Sequence, residues 1–181
     1  NVNEIIKKNP TRVHDYDWWN NNYKMNSYWW DEPIYGYYME NDDYVLRKQA
    51  ELLADAGVDF VAFDCTNGAL TWKSAYENLL KVWKQAKSDG VKVPGIVFLL
   101  PFANTENARK SFMDIYNNLY DTTSANYKKY SDLLFRYNGK PLLLWNNERI
   151  EYYKEYSKLL ENFEVRKVNP SYFMSGSKRN G

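Results

Sequence analysis

Apolar residues fall into two rhythms that alternate from residue 42 onward. Val45, Leu46, Ala50, Leu53 and Ala54 recur at helical spacing; Asp42 or Asp43 stands where a cap is needed, and Gly57 follows as a left-handed stop. Residues 58–63 form a short, nearly solid apolar run, which predicts a buried strand ending in Asp64, Cys65, Thr66, Asn67 and Gly68. The rhythm then repeats. A helix is predicted over 73–87, with Tyr76, Leu79, Leu80 and Trp83 on one face and Gly90 closing it, followed by a strand over 95–100. A third helix carries Ala108, Phe112, Ile115, Tyr116 and Leu119, with Asn104 or Thr105 as its cap. Residues 132–137, the turn Asn138-Gly139 and residues 141–145 read as a short strand turning into a third buried strand. A fourth helix over 148–162 and a fourth strand over 163–168 complete the series.

Residues 1–41 lack this rhythm. A short helix around Val2–Lys8 leads into a long stretch crowded with Trp, Tyr, Asn and Asp. Loops of that length are usually functional or disordered, and the density of rings favours order.

Strand and helix in steady alternation predict an α/β fold with a parallel sheet, right-handed crossovers and helices on its faces. Four or five such strands suit either a doubly wound sheet or part of a (β/α)8 TIM barrel. A complete barrel takes ~250 residues. The 181 residues here therefore predict a partial barrel, with a first strand expected before residue 1 and the last ones after residue 181. One domain is expected over 1–181: an aromatic N-terminal region (1–41), the repeating units (42–170) and a loop cut short (171–181). A partial barrel exposes sheet edges and apolar helix faces, so self-association through those edges is expected.

Composition narrows the function. Basic and acidic residues number 24 and 23, a net charge of +1, so no global field draws phosphate backbones or anionic lipid, and nucleic-acid partners are not expected. No apolar run reaches the ~18 residues of a spanning helix, which predicts no membrane insertion. One cysteine, Cys65, leaves no internal disulfide and no metal-ligand spacing. With no phosphate-binding glycine pattern either, no cofactor and no metal are expected. The chain starts at Asn1 without a leader, so either a leader has been removed or the segment belongs to something longer. The distinctive figure is the 18% aromatic share, with 17 Tyr, 8 Phe and 7 Trp against a mean hydropathy of -0.72. Much of the apolar area thus sits on rings with a polar handle, suited to half-wet surfaces.

Ligands of parallel α/β sheets sit where strands end at their carboxyl side. That directs attention to residues 64–72, 101–105 and 145–148 and to the segment after Val168. Asp64 leaves its strand as the strand ends, where a carboxylate is held rigidly within reach of a ligand; the competing role is a turn tightened with Thr66 and Asn67. Asn67 and Trp72 flank the same loop. Tyr28-Trp29-Trp30-Asp31-Glu32-Pro33 sets two indoles beside two acids: the rings suit a platform for a pyranose face, with Asp31 or Glu32 on its hydroxyls, and equally suit a hydrophobic plug. Glu148 reads more readily as a helix-terminal charge than as a catalyst. His14 is the single histidine, and no G-x-S-x-G elbow is present, which disfavours nucleophilic proteases and esterases. Cys65 has no base placed beside it by the sequence, so packing is its simpler role.

The block Tyr28-Trp29-Trp30-Asp31-Glu32-Pro33-Ile34-Tyr35-Gly36-Tyr37-Tyr38, then Arg47-Lys48, then Leu53-Ala54-Asp55-Ala56-Gly57-Val58-Asp59-Phe60 and Phe63-Asp64-Cys65-Thr66-Asn67-Gly68, resembles the bacterial glycoside hydrolases called seventy-one/ninety-nine-like. That group is similar to endo-α-mannosidases and endo-α-mannanases. Leu99-Leu100-Pro101-Phe102, Asn138-Gly139-Lys140-Pro141-Leu142 and Phe163-Glu164-Val165-Arg166 extend the resemblance over nearly the whole chain. It implies a TIM barrel with a sugar cleft at its carboxyl face, acting on polysaccharide or glycan as a secreted, periplasmic or cell-surface protein. Asp31 stands where such relatives often carry glycine. The glutamates that catalyse in endo-α-mannosidases lie on later strands and loops and find no match here. The candidate catalytic pair is therefore Asp64 and Glu32, with Trp29, Trp30, Asp31, Asn67 and Trp72 as substrate contacts. The competing readings are a non-catalytic carbohydrate-binding protein and an inactive barrel fragment.

Overall fold

Asp42 starts the regular part of the chain. Its carboxylate accepts hydrogen bonds from the backbone N–H groups of Tyr44 (3.0 Å) and Val45 (3.1 Å), capping a helix over Asp43–Asp55. Gly57, at φ 79°, turns the chain out of that helix. The computed structural model describes residues 2–23, 33–101, 106–145 and 156–168. Its helices are α1 (Val2–Lys8), α2 (Tyr16–Tyr23), α3 (Asp43–Asp55), α4 (Lys73–Ser88), α5 (Glu106–Ile115), α6 (Ala125–Tyr130) and α7 (Ser157–Leu160). Its strands are β1 (Phe60–Asp64), β2 (Gly95–Leu99), β3 (Arg136–Tyr137), β4 (Lys140–Leu144) and β5 (Glu164–Arg166). The result is a mixed α/β fold with a mostly parallel five-stranded sheet.

Parallel pairing runs β1 to β2, β2 to β4 and β4 to β5, while β3 joins β4 antiparallel. The β3–β4 hairpin turns on Asn138 (φ 51°) and Gly139 (φ 80°), the two left-handed residues that match the twist of a tight hairpin. Apart from that hairpin, strands adjacent in sequence are adjacent in space.

The two faces of the sheet differ. Val61, Phe63, Ile96, Phe98, Leu143 and Val165 point to one face and join the main core cluster with Leu46 and Ala50 of α3, Tyr76, Leu80 and Trp83 of α4, and Ala108, Phe112 and Ile115 of α5. Aromatic contacts dominate this interface: Phe98 lies 5.6 Å from Phe63 and 5.2 Å from Tyr76, centroid to centroid. Trp83 also donates its indole N–H to the Leu46 carbonyl at 3.0 Å, so α4 is tied to α3 by a satisfied buried polar group. Positions of opposite parity (Ala62, Val97, Leu99, Leu142, Leu144) face the other way, and although Val97 and Leu142 are buried, neither joins a cluster with the described helices. Helices thus cover one face, where the sequence reading expected helices on the faces of the sheet.

Three local expectations change. Residues 16–23, read as loop, form α2: Asp15 Oδ1 accepts from the Trp18 N–H at 3.0 Å, and Trp19 is fully buried with its indole donating to the Arg12 carbonyl at 2.7 Å. Trp19 packs with Val2 and Tyr37 into a small second cluster. Residues 125–130 form α6, capped by Ser124, whose hydroxyl accepts from Tyr127 N–H at 2.9 Å. Residues 131–133 are a 3-10 turn, so the strand expected over 132–137 shrinks to two residues. The caps proposed at Asn104 and Thr105, Glu148, and the greater part of the helix expected over 148–162 lie outside the described residues.

Candidate functional site

Because β1, β2, β4 and β5 run parallel, their carboxyl ends form one rim, and Asp64 is the last residue of β1. Register places Asp64 beside Leu99, and Leu99 beside Leu144. All three share the face away from the main core. Asp64 is exposed, and its Oδ1 accepts the Thr66 backbone N–H at 2.8 Å, closing a tight turn. The turn role weighed from the sequence is therefore real, and it coexists with a solvent-facing carboxylate. Hydrogen bonds from the Thr66 side chain and backbone hold the Asp64 carboxyl below the usual aspartate range. An acid held in this way stays ionised near neutrality and suits the role of base, nucleophile or hydroxyl acceptor rather than proton donor.

The sign of its pH dependence follows. The folded value lies below the model value of 3.8, so the carboxylate's contribution to stability is present above that value and is lost as pH falls through the folded one. Asp64 should titrate below an unstructured aspartate when followed by carboxyl NMR, and Thr66→Ala should move it upward. An Asp64 titration at the ordinary value would remove the Thr66 interaction.

Trp72 is the unusual residue of the rim. It precedes α4 with φ 57° and ψ 41°, a left-handed backbone conformation that bulky side chains rarely adopt. Such strain costs about 1–3 kcal/mol and persists where surrounding contacts over-determine it. Those contacts are visible. Cys65 N–H bonds to Leu99 O and Gly95 N–H to Asp59 O, so alternate β1 residues face β2 and the Asp64 carbonyl turns toward the outer edge. There it accepts the Trp72 indole N–H at 2.9 Å. The ring remains 47% exposed, an aromatic surface fixed beside the Asp64 carboxylate. Leu70, 56% exposed, and Asn67, also exposed, occupy the same loop.

Beneath the loop lies a polar layer. Thr71, buried, donates its hydroxyl to Asp114 Oδ2 of α5 at 2.5 Å, and the Cys65 thiol lies 3.7 Å from the Thr71 carbonyl. Farther in, Asn118 donates to the Tyr76 hydroxyl (2.7 Å) and to Glu77 (3.0 Å), and Asn126 donates to Asn118 (2.8 Å). Asn118 sits in a π-helical turn over Tyr116–Tyr120, whose wider winding directly extends α5. Burial raises the Tyr76 hydroxyl well above its ordinary value. Thr71 and Asp114 stand 43 residues apart in sequence, and no local pattern announces their pairing.

Cys65 is completely buried, and burial, with smaller contributions from the Asp64 and Asp114 charges, pushes its thiol up to about 12. Reactivity requires thiolate. The native protein should therefore leave a thiol reagent such as dithionitrobenzoate unreacted at neutral pH and consume one equivalent after denaturation; rapid native labelling would contradict the packing role.

Among the described residues no group of three or more His, Cys, Asp or Glu side chains is placed to hold a metal, and no helix is long and apolar enough to cross a membrane. Of the candidates read from the sequence, Asp64, Asn67 and Trp72 come together on one loop. Trp29, Trp30, Asp31 and Glu32 lie outside the described residues. The chain matches no family model, no curated protein and no solved structure. The rim itself therefore carries the functional argument.

Proposed function

We propose that the chain forms one side of a singly wound α/β barrel and binds polysaccharide at the carboxyl rim of its strands, as part of a secreted glycoside hydrolase. Two features of the fold support the barrel. Strand order follows chain order without the reversal that defines a doubly wound sheet, and the described helices gather on one face, as on a barrel wall whose other face turns inward.

The observation that carries the sugar reading is Trp72, an exposed indole held in a strained backbone beside an ionised, exposed carboxylate. A pyranose presents apolar C–H faces and equatorial hydroxyls, and a fixed ring next to a carboxylate matches both. Asp64 is then the base or nucleophile, or a hydroxyl acceptor. The proton donor must be a second acid, and Glu32 of the Trp29-Trp30-Asp31-Glu32 segment is the candidate.

A non-catalytic sugar-binding protein is the second reading. It is favoured by the engagement of Asp64 with Thr66, which lowers its carboxyl pKa and by itself supplies no acid. Calorimetry with manno-oligosaccharides and reducing-end release from α-mannan separate the two. Trp72→Ala should lower affinity at least about tenfold, the usual range for a stacked aromatic anchor. Asp64→Asn should abolish release under the hydrolase reading and leave affinity intact under the binding reading. If neither heat of binding nor product were detected with these and a wider glycan panel, both readings would fail.

A further inference from the structure

The loop that presents Trp72 is fastened at its end by contacts from distant parts of the fold. The Trp72 indole reaches the Asp64 carbonyl, the Cys65 thiol lies near the Thr71 carbonyl, and the Thr71 hydroxyl reaches Asp114 on α5. Neither Thr71 nor Asp114 touches the rim surface that a ligand would use: Thr71 is 5% exposed and directly precedes the strained residue. A left-handed tryptophan relaxes to ordinary helical or extended backbone unless its neighbour is held. Thr71 is that neighbour, and its side chain is the one fixed to a helix.

We propose that Thr71 and Asp114 are positioning residues that hold Trp72 in its left-handed backbone and so preset the aromatic surface at the rim. Their effect on a ligand rests on the sugar reading above; their effect on Trp72 does not. The bond works as a clamp across the fold. The Thr71 hydroxyl donates to a carboxylate, which makes it stronger than a bond between neutral groups. Because α5 is anchored by fully buried Ala108, Phe112 and Ile115, the acceptor cannot follow a loop that drifts. Valine at position 71 keeps the branched shape and deletes the donor, while serine keeps the donor.

Fluorotryptophan labelling of the whole chain tests this, with the Trp72 resonance assigned by its disappearance in Trp72→Phe. Thr71→Val and Asp114→Ala should shift and broaden that resonance while those of the remaining tryptophans stay in place, and Thr71→Ser should restore the original line. If either Thr71→Val or Asp114→Ala folds and leaves the Trp72 line unmoved, the proposal is overturned, so the loss of one variant to misfolding does not protect it. Calorimetry with manno-oligosaccharides on the same samples separates the two claims. About tenfold weaker binding by Thr71→Val is expected, since a loosened ring must be ordered on binding. A moved Trp72 line in a protein that binds no oligosaccharide would retire the sugar reading and leave the clamp standing. A moved line with unchanged affinity would overturn the link between clamp and ligand.

Discussion

Phe112→Ala should destabilise the protein by about 3–5 kcal/mol, the range for emptying a fully buried phenylalanine site. Phe112 is completely buried, and its ring centroid lies 5.4 Å from that of Trp145, 5.6 Å from Tyr156 and 5.9 Å from both Tyr116 and Phe163. These partners belong to the end of β4, the start of α7, the π-helical turn and the approach to β5. One side chain therefore holds α5 against the later half of the sheet. Large rigid rings cannot collapse into the gap as aliphatic chains do, which places the cost toward the upper part of the range. Phe112→Leu, which refills part of the volume, should cost less than half as much. Urea unfolding followed by tryptophan fluorescence measures both, and a Phe112→Ala variant within 1 kcal/mol of the parent would show that the ring cluster is not what joins α5 to the sheet.

The elements built around this cluster were legible for a physical reason. Tyr76, Leu80 and Trp83 recur at helical spacing because α4 buries one face, and Asp42 and Gly57 mark the ends of α3 because helix termini leave backbone groups that caps must satisfy. The same rules hid α2. Tyr16–Tyr23 is mostly Tyr, Trp and Asn, weak helix formers, and its stability comes from the burial of Trp19 and the indole bond to the Arg12 carbonyl, which sequence spacing does not report. The signal that was available is Asp15, an acceptor three residues ahead of the Trp18 N–H.

At the rim, Asp64 was readable as an acid at a strand end, and Trp72 as a ring after the loop. The left-handed backbone of Trp72 was not. Glycine or asparagine normally advertises that conformation, and Leu70-Thr71-Trp72 contains neither. It exists because contacts remote in sequence, the Asp64 carbonyl and the Asp114 carboxylate, fix the residues on either side. A strained position is invisible to local propensity when its compensation comes from elsewhere in the fold.

Gly95 shows the same principle within the sheet, and Gly95→Ala should cost about 1–3 kcal/mol, the usual penalty of overpacking. A Cβ on Gly95 would stand 2.6 Å from Phe135 Cβ and 3.0 Å from its Cα. Flexible side-chain ends move out of such contacts at little cost, but here the obstacle is the root of a side chain and its backbone. Phe135 cannot retreat: its N–H bonds to Ile96 O and its carbonyl accepts from Leu142 N–H, each at 3.0 Å, so it is stitched between β2 and β4. Its ring also packs 4.8 Å from Phe60, the residue in register with Gly95 on β1. The penalty is thus steric and specific to one neighbour, unlike that at Gly57, where an added Cβ meets nothing within 4 Å and only the positive φ objects. A double-mutant cycle makes the distinction measurable. In a Phe135→Gly background, which removes the obstructing Cβ, Gly95→Ala should become nearly neutral. An equal cost in both backgrounds would place the requirement for glycine in the β2 backbone rather than in its contact with Phe135.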